Sequence, residues 1–479
     1  MRSERQKMRF IALIGPKGPR AGEHGETDQY RGGMNRVTAA FITLGCKVNQ
    51  YESQALSGLF ARAGMETVGL EEAPDVIVLN SCTVTAESDR KDRQSLRRLR
   101  REHPHAVLIL TGCMPQAFPE RAATLTQADI VTGNANNDHL LTLLERHRQT
   151  GERVVEIPTH SAGEKISSLA PDGFGERTRA YLKIEDGCNR YCSYCIVPTA
   201  RGRVRSKPLA DIEREAVALA EKGFSEVVLV GINLSAYRTE QGEDLADAVL
   251  AAAGPAGLRR VRLGSMEPDQ ITPDMIDRLA GCDKLCPQFH LSLQSGCDET
   301  LQRMNRHYDT AFYRDVCARL RSRFGGEAAC SITTDVMVGF PGESEEEFAR
   351  SAAFVEEMSF AKAHVFAYSR RQGTPAANAP MQVTAAVKQS RSHAMIEAAG
   401  RGTARFLAAQ IGRIEPVLLE TRDAAGMYHG YTPNYTLVSL TASDGLTGKI
   451  LPVRITGVQG ECALGELAHG IDPAETIWR

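Results

Sequence analysis

The chain has 479 residues, enough for two to four domains with cores of their own. Lys and Arg number 57 against 59 Asp and Glu, a net charge of −2, which neither announces nor excludes a nucleic-acid partner and leaves any such binding to local patches. Its 12 cysteines sit in short motifs after apolar runs, which excludes a small disulfide scaffold and favours metal binding in a reducing compartment, the cytoplasm.

Residues 1–36 read as a disordered tail or a misplaced start. Phe10–Ile14 is too short for a signal-peptide core. Pro16, Pro19 and a run of glycines up to Gly33 oppose packing, and Met34 opens a fresh start. No apolar stretch is long enough to span a bilayer.

In residues 37–150 three apolar runs each end at a cysteine. Val37–Leu44 stops at Gly45-Cys46, Val76–Leu79 at Asn80-Ser81-Cys82, and Ala106–Leu110 at Thr111-Gly112-Cys113. Short β-branched runs separated by helical stretches predict βαβ units of a parallel sheet. Ligands of such sheets bind outside the carboxyl ends of the strands, so Cys46, Cys82 and Cys113 are expected to converge on one three-thiolate site. Any one of them alone reads as a buried free cysteine; three in register do not. The cationic run Asp89–Arg101 carries one apolar stripe, Leu96 and Leu99. A solvated helix face and a phosphate-contacting helix stay equally open there.

Residues 151–179, rich in Pro and Gly, read as a linker. From 180 to 406 the chain repeats strand then helix. The strand candidates are 180–184, 226–230, 259–263, 288–293, 331–338 and 362–368, which predicts a partial six-unit barrel with its chemistry at the carboxyl ends of the strands. Directly after the first strand, Cys188, Cys192 and Cys195 form a C-x3-C-x2-C loop. Three thiolates wrap one face of an iron–sulfur cluster and leave one iron open to a small molecule. A zinc knuckle fits less well, since zinc prefers four protein ligands and no partner pair lies nearby. Polar residues close the other strands: Asn233, Ser265, Glu267 and Gln294, with Asp335 inside the fifth. Arg201, Arg203 and Arg205 alternate, so an extended backbone would put them on one face. From residue 407 to 479 short strands punctuated by glycines predict a compact β-barrel.

Thr43–Ser53, Asn80–Thr85 and Thr111–Cys113, together with the C-x3-C-x2-C loop and the Leu291–Arg306 block, resemble the radical S-adenosylmethionine (SAM) methylthiotransferases. The Gly45–Ser53 segment is closest to the branch that modifies N6-threonylcarbamoyladenosine in tRNA. One departure is Cys297, where that family more often has serine.

The resemblance implies an α/β protein with three parts. These are a flavodoxin-like doubly wound domain at 37–150, a partial (β/α)6 radical SAM barrel at 180–406 and a TRAM-like all-β barrel at 407–479. It implies two 4Fe-4S clusters, one on Cys188, Cys192 and Cys195 that chelates SAM, and an auxiliary one on Cys46, Cys82 and Cys113. Tyr194, Asn233, Ser265, Glu267, Gln294, Arg306 and Asp335 would surround SAM, with the cofactors rather than a side chain carrying the hard chemistry. Arg201, Arg203, Arg205, Tyr431 and Tyr435 would meet RNA, with packing in the small barrel's core equally open for the two tyrosines.

The implied reaction is methylthiolation at C2 of the adenine beside the anticodon. The implied partners are a tRNA anticodon stem-loop and an electron donor such as flavodoxin or ferredoxin, with no membrane; the implied state is a cytoplasmic monomer. Two other readings compete: a methylthiotransferase acting on a ribosomal-protein aspartate, and a noncatalytic Fe–S or zinc protein that binds RNA.

Overall fold

In this computed structural model the described residues are 12–14, 36–161, 163–175 and 177–468. They fall into two compact units, one within Met1–Glu176 plus Ile196–Gly202, the other within Arg177–Cys195 plus Arg203–Arg479.

The first unit is built on a parallel sheet. Its strands lie in the spatial order Glu66–Thr67, Thr38–Thr43, Val76–Ser81, Val107–Gly112, Ile130–Thr132 and Val154–Glu156. Counted along the chain this is 2-1-3-4-5-6, the flavodoxin-like order, and the strand order reverses beside Thr38–Thr43. Both faces are covered, which is why the strands read as unbroken apolar runs. Ala40, Ile42, Ile77, Leu79, Leu108 and Leu110 pack on one side, and Phe41, Val76, Val78, Ile109 and Ile130 on the other. Thr43, Asn80 and Thr111 are register partners, so three neighbouring strands end level with one another.

Three of these strands fall outside the expectation. Glu66–Thr67 and Ile130–Thr132 have two and three residues, too few to stand out in the pattern. Val154–Glu156, in the stretch expected to be a linker, adds the last parallel strand. The expected tail lies outside the described residues except for 12–14 and 36, and Ala12–Ile14 pairs antiparallel with Thr38–Thr43.

The second unit carries six parallel strand positions in chain order: Arg179–Lys183, Glu226–Val230, Arg260–Leu263, Gln288–Leu291, Ser331–Val338 and Lys362–Ala367. The third continues past Gly264 as Ser265–Met266, which pairs with the fourth and so carries the arc onward. Arg179–Lys183 and Lys362–Ala367 are the edges of this open arc. Helices such as Leu209–Glu221, Leu245–Ala253, Thr310–Arg323 and Glu345–Glu357 follow the strands, as a (β/α)6 arrangement requires.

After the helix Ala385–Ala408 a five-stranded barrel closes in the order Ile414–Arg422, Met427–Tyr431, Leu437–Thr441, Cys462–Leu467, Ile450–Gln459. Its core is Val417, Leu419, Tyr428, Val438, Leu440, Val453 and Ile455. This barrel is seated on the start of the strand arc by charge. Glu226, wholly buried, accepts from Arg262 Nε at 2.8 Å and Arg260 Nη1 at 3.3 Å. Arg262 Nη1 reaches Pro433 O at 2.8 Å, Arg260 reaches Tyr431 O at 3.2 Å, and Arg179 Nη2 reaches Glu420 Oε2 at 3.0 Å. Burial opposes ionisation of Glu226, yet Arg262, Arg260 and Arg179 outweigh it and hold its carboxyl down to about 2.

Candidate metal centres

Each of the first three cysteines stands at the carboxyl end of a strand. Cys46 caps the helix Lys47–Arg62, Cys82 comes directly after Val76–Ser81, and Cys113 opens the helix Cys113–Ala117. The level strand ends bring them together beside the switch point, where such sheets bind ligands. Two glycines make the approach feasible. Gly45 has φ +112°, and a Cβ there would lie 2.8 Å from Cys82 Cβ. Gly112 has φ +98°, and a Cβ there would lie 2.5 Å from Ser81 O. Gly112→Ala should therefore cost about 1–3 kcal/mol in backbone strain alone. It should also push Cys113 off its position; on the expectation that Cys46, Cys82 and Cys113 hold a cluster, iron bound by the first unit should fall while that of the C-x3-C-x2-C loop stays. Denaturant unfolding and iron analysis read the two effects.

Asn49 ties the three sulfurs' surroundings together. Its Nδ2 donates to Leu44 O and Ser81 O, both at 2.9 Å. Its Oδ1 lies 3.5 Å from Cys46 Sγ and 4.0 Å from Cys113 Sγ, and accepts from Arg201 Nη2 at 2.6 Å. Burial, then the neighbouring Cys113 and Cys46, push the Cys82 thiol up to about 12. Burial likewise raises Cys113 to about 11 against the pull of Arg201. Among the described residues no three Cys, His, Asp or Glu side chains converge at the spacing one ion needs. In a 4Fe-4S cluster each thiolate binds a different iron, so a wider triangle suits it.

The second centre is the loop Gly187–Cys195. It is pinned to the segment after helix Asp298–Arg303: Ser193 N donates to Met304 O at 3.0 Å, Ser193 Oγ to Arg303 O at 2.8 Å, and Asn305 Nδ2 to Tyr191 O at 3.1 Å. Arg306 occupies the centre of the site. Its Nη1 donates to Cys192 Sγ at 3.2 Å and Tyr194 OH at 3.3 Å, its Nε to Tyr308 OH at 3.0 Å, and its Nη2 pairs with Glu267. Burial, ahead of Cys192 and Glu267, raises the Cys188 thiol to about 11. Cys192, Tyr194, Glu267 and Arg306 are thus one cluster.

The remaining expected SAM residues lie at neighbouring strand ends without joining that cluster. Asn233 is buried, its Nδ2 donating to Gln270 Oε1 at 2.9 Å while its Oδ1 has no partner. Gln294 holds φ +67° and exchanges backbone hydrogen bonds of 2.8 Å with Asp335 and Met337. Asp335 faces His290 Nε2 at 3.3 Å, and Ser265 is exposed. Sequence reasoning missed Glu185, which accepts from the backbone N of Ile232 and of Asn233 at 2.7 Å each. Glu185-Asp186 reads as a plain loop pair in the sequence, so no signal marked it. Cys297 is buried, with its Sγ 3.0 Å from Glu299 Oε2.

Four of the five expected RNA contacts are placed otherwise. Arg201 ends the helix Val197–Arg201, is 1% exposed and is held by Glu52 and Asn49, so a phosphate cannot reach it. The helix breaks the alternation that an extended chain would give. Arg205 is engaged by Asp186 at 3.4 Å, its side chain 9% exposed, whereas Arg203 is exposed. Tyr431 and Tyr435 stack on each other at 4.5 Å, with the guanidinium of Arg179 over the first at 5.0 Å and that of Arg262 over the second at 4.6 Å. Their faces are taken up within the protein, where they help seat the barrel.

Residues 182–355 match the Radical SAM superfamily, and residues 38–133 match the family described as Uncharacterized protein family UPF0004. A threonylcarbamoyladenosine tRNA methylthiotransferase of Bacillus subtilis is 36% identical over 429 residues, covering 88% of this chain and 94% of its own length. A protein of the same name from Thermotoga maritima is 35% identical, over 91% of this chain and 99% of its own. A tRNA-2-methylthio-N6-dimethylallyladenosine synthase of Clostridium perfringens is 32% identical over 91% of this chain and 99% of its own. Among solved structures, a radical S-adenosylmethionine methyltransferase from Kitasatospora setae with cobalamin and a 4Fe-4S cluster bound superposes with a TM-score of 0.52. That match is 14% identical, covers 72% of this chain and 77% of the other, and is a likeness of fold.

Proposed function

Because this chain belongs to the radical SAM tRNA methylthiotransferases, we propose that Cys188, Cys192 and Cys195 hold the SAM-binding 4Fe-4S cluster and Cys46, Cys82 and Cys113 the auxiliary one. The substrate is N6-threonylcarbamoyladenosine in the anticodon loop of tRNA, and the product carries a methylthio group at C2. The observation that carries this reading is the pairing of two separate three-thiolate sites, each at the carboxyl end of its own parallel sheet. When bound, the clusters and SAM supply the radical chemistry and the sulfur that no side chain can.

The chain's own residues bind and orient. The amino-acid end of SAM is a zwitterion, and the Arg306–Glu267 pair beside Cys192 is its charge complement. Arg306 offers a cation to the carboxylate and Glu267 an anion to the ammonium. The two also neutralise each other, so neither is an uncompensated buried charge. Asn233 Oδ1, buried and without a partner, is one further acceptor at the strand ends. Tyr194 is fixed by Arg306 and by edge contact with Phe340 at 6.4 Å, closing the side of the loop next to Cys195.

Exposed cations on each unit serve the tRNA backbone: Arg97 on the helix Ala86–Glu102, and Arg203, Lys449 and Arg454 on the second unit. Asp335, Gln294 and Ser265 line the remaining strand ends toward SAM or the nucleoside. The protein acts as a monomer in the cytoplasm, where tRNA is, and takes its electrons from a small donor such as flavodoxin or ferredoxin.

Mass spectrometry of tRNA nucleosides from host cells with and without this gene tests the substrate. Deletion should abolish 2-methylthio-N6-threonylcarbamoyladenosine and accumulate its precursor, and the intact gene should restore it. Loss of the 2-methylthio form of a dimethylallyladenosine instead would move the substrate to that of the Clostridium relative.

A further inference from the structure

Arg201 is a charged side chain buried at a metal centre of which it is not a ligand. The short helix that ends in it packs Ile196 and Ala200 against Cys113 and Ala117. Ala200 O is held in turn by Asn134 Nδ2 at 2.8 Å and lies 3.3 Å from His160 Nε2. These contacts aim the guanidinium inward. Its Nε donates to Cys113 Sγ at 3.2 Å, its Nη2 to Asn49 Oδ1 at 2.6 Å and Glu52 Oε2 at 2.9 Å, and its Nη1 pairs with Glu52 Oε1. One edge of the plane is therefore clamped by a carboxylate in fork geometry, leaving Nε–H fixed on the sulfur.

Hydrogen bonds to cluster sulfurs, net charge and burial set the potential of an iron–sulfur cluster. One-electron reduction adds a negative charge to the cluster. A permanent cation that is itself buried, within hydrogen-bonding distance of a buried ligand sulfur, favours the reduced form. A carboxylate behind that cation weakens the effect but keeps the guanidinium aimed.

We propose that Arg201 is a positioning residue for the auxiliary cluster: its Nε–H anchors the Cys113 thiolate, its charge raises the cluster's reduction potential, and Glu52 orients it. This rests on the assignment of Cys46, Cys82 and Cys113 to that cluster. Arginine is suited to the task because it keeps its charge when buried and presents a directed donor, where lysine presents a mobile point charge.

The test uses the full-length chain with Cys188, Cys192 and Cys195 all changed to Ala, so that the auxiliary cluster is observed alone. The protein is reconstituted anaerobically and titrated with dithionite while electron paramagnetic resonance follows the reduced cluster. R201Q is expected to shift the midpoint potential to more negative values and alter the spectrum. R201K is expected to lie between R201Q and the parent, and E52Q above the parent. R201Q and R201K that keep the parent's iron, midpoint and spectrum would overturn the proposal. If R201Q does not retain iron, R201K decides: a midpoint more negative than the parent's supports the proposal and an unchanged one overturns it. Failure of the underlying assignment looks different, because further change of Cys82 to Ala would then leave the iron content of the background protein untouched.

Discussion

Cys82→Ala protein, reconstituted anaerobically, is expected to hold about four irons per chain where the parent holds about eight, to cleave SAM at close to the parent rate, and to form no methylthio product. Cys82 lies between its two partners in the sheet order and is buried, with Gly45 crowded against its Cβ. Its loss leaves two thiolates, too few to hold the cluster. The Cys188–Cys195 loop is fixed by hydrogen bonds to 303–305 inside the second unit, so on the proposed assignment its cluster and SAM cleavage should persist. The split between intact cleavage and absent product is the signature to look for. Methylthio product from the Cys82→Ala protein would remove the auxiliary cluster from its assigned cysteines.

Glu226→Gln should destabilise the second unit by about 3–5 kcal/mol, because it takes away the carboxylate that buried Arg260 and Arg262 share. At roughly 2–4 °C per kcal/mol for a unit of this size, the apparent Tm should fall by about 10 °C. The pH dependence has a definite sign. The folded carboxyl sits near 2, below its unfolded value, so Glu226 contributes fully above the unfolded value. That contribution, roughly 3 kcal/mol, is lost as pH falls toward 2. Glu226→Gln should therefore show a flatter loss of stability between about pH 4.5 and pH 2 than the parent. Because these arginines also reach Pro433 and Tyr431, the C-terminal barrel should loosen first, read as faster amide exchange in 414–467. An unchanged Tm with unchanged exchange would refute the seating role.

How far the sequence was legible depends on which interactions are local. Strand–Gly–Cys and strand–Ser–Cys junctions are local patterns, and the level ends of three parallel strands then made convergence of Cys46, Cys82 and Cys113 foreseeable. The Cys188–Cys195 loop was legible for the same reason. Arg260 and Arg262 lie in the expected strand 259–263, but what buries and pairs them, Glu226 and the barrel residues 431–433, comes from elsewhere in the chain. Tyr431 and Tyr435 read as base-stacking platforms until their cationic partners, Arg179 and Arg262, are seen to come from elsewhere in the chain. Arg201 shows the sharpest contrast. Its neighbours suggested an extended basic strip, whereas a one-turn helix and the distant Glu52 turned it inward. In each case the missed partner lies many residues away and leaves no trace in local spacing.

The most direct measurement is an anaerobic reaction of the purified, reconstituted protein with SAM, a reductant and tRNA that carries N6-threonylcarbamoyladenosine, analysed by mass spectrometry for 5′-deoxyadenosine and tRNA nucleosides together. The two-cluster account predicts both 5′-deoxyadenosine and 2-methylthio-N6-threonylcarbamoyladenosine, with Cys192→Ala losing both and Cys82→Ala losing only the second. Neither product from protein carrying about eight irons, or methylthio product surviving in Cys192→Ala, would contradict it.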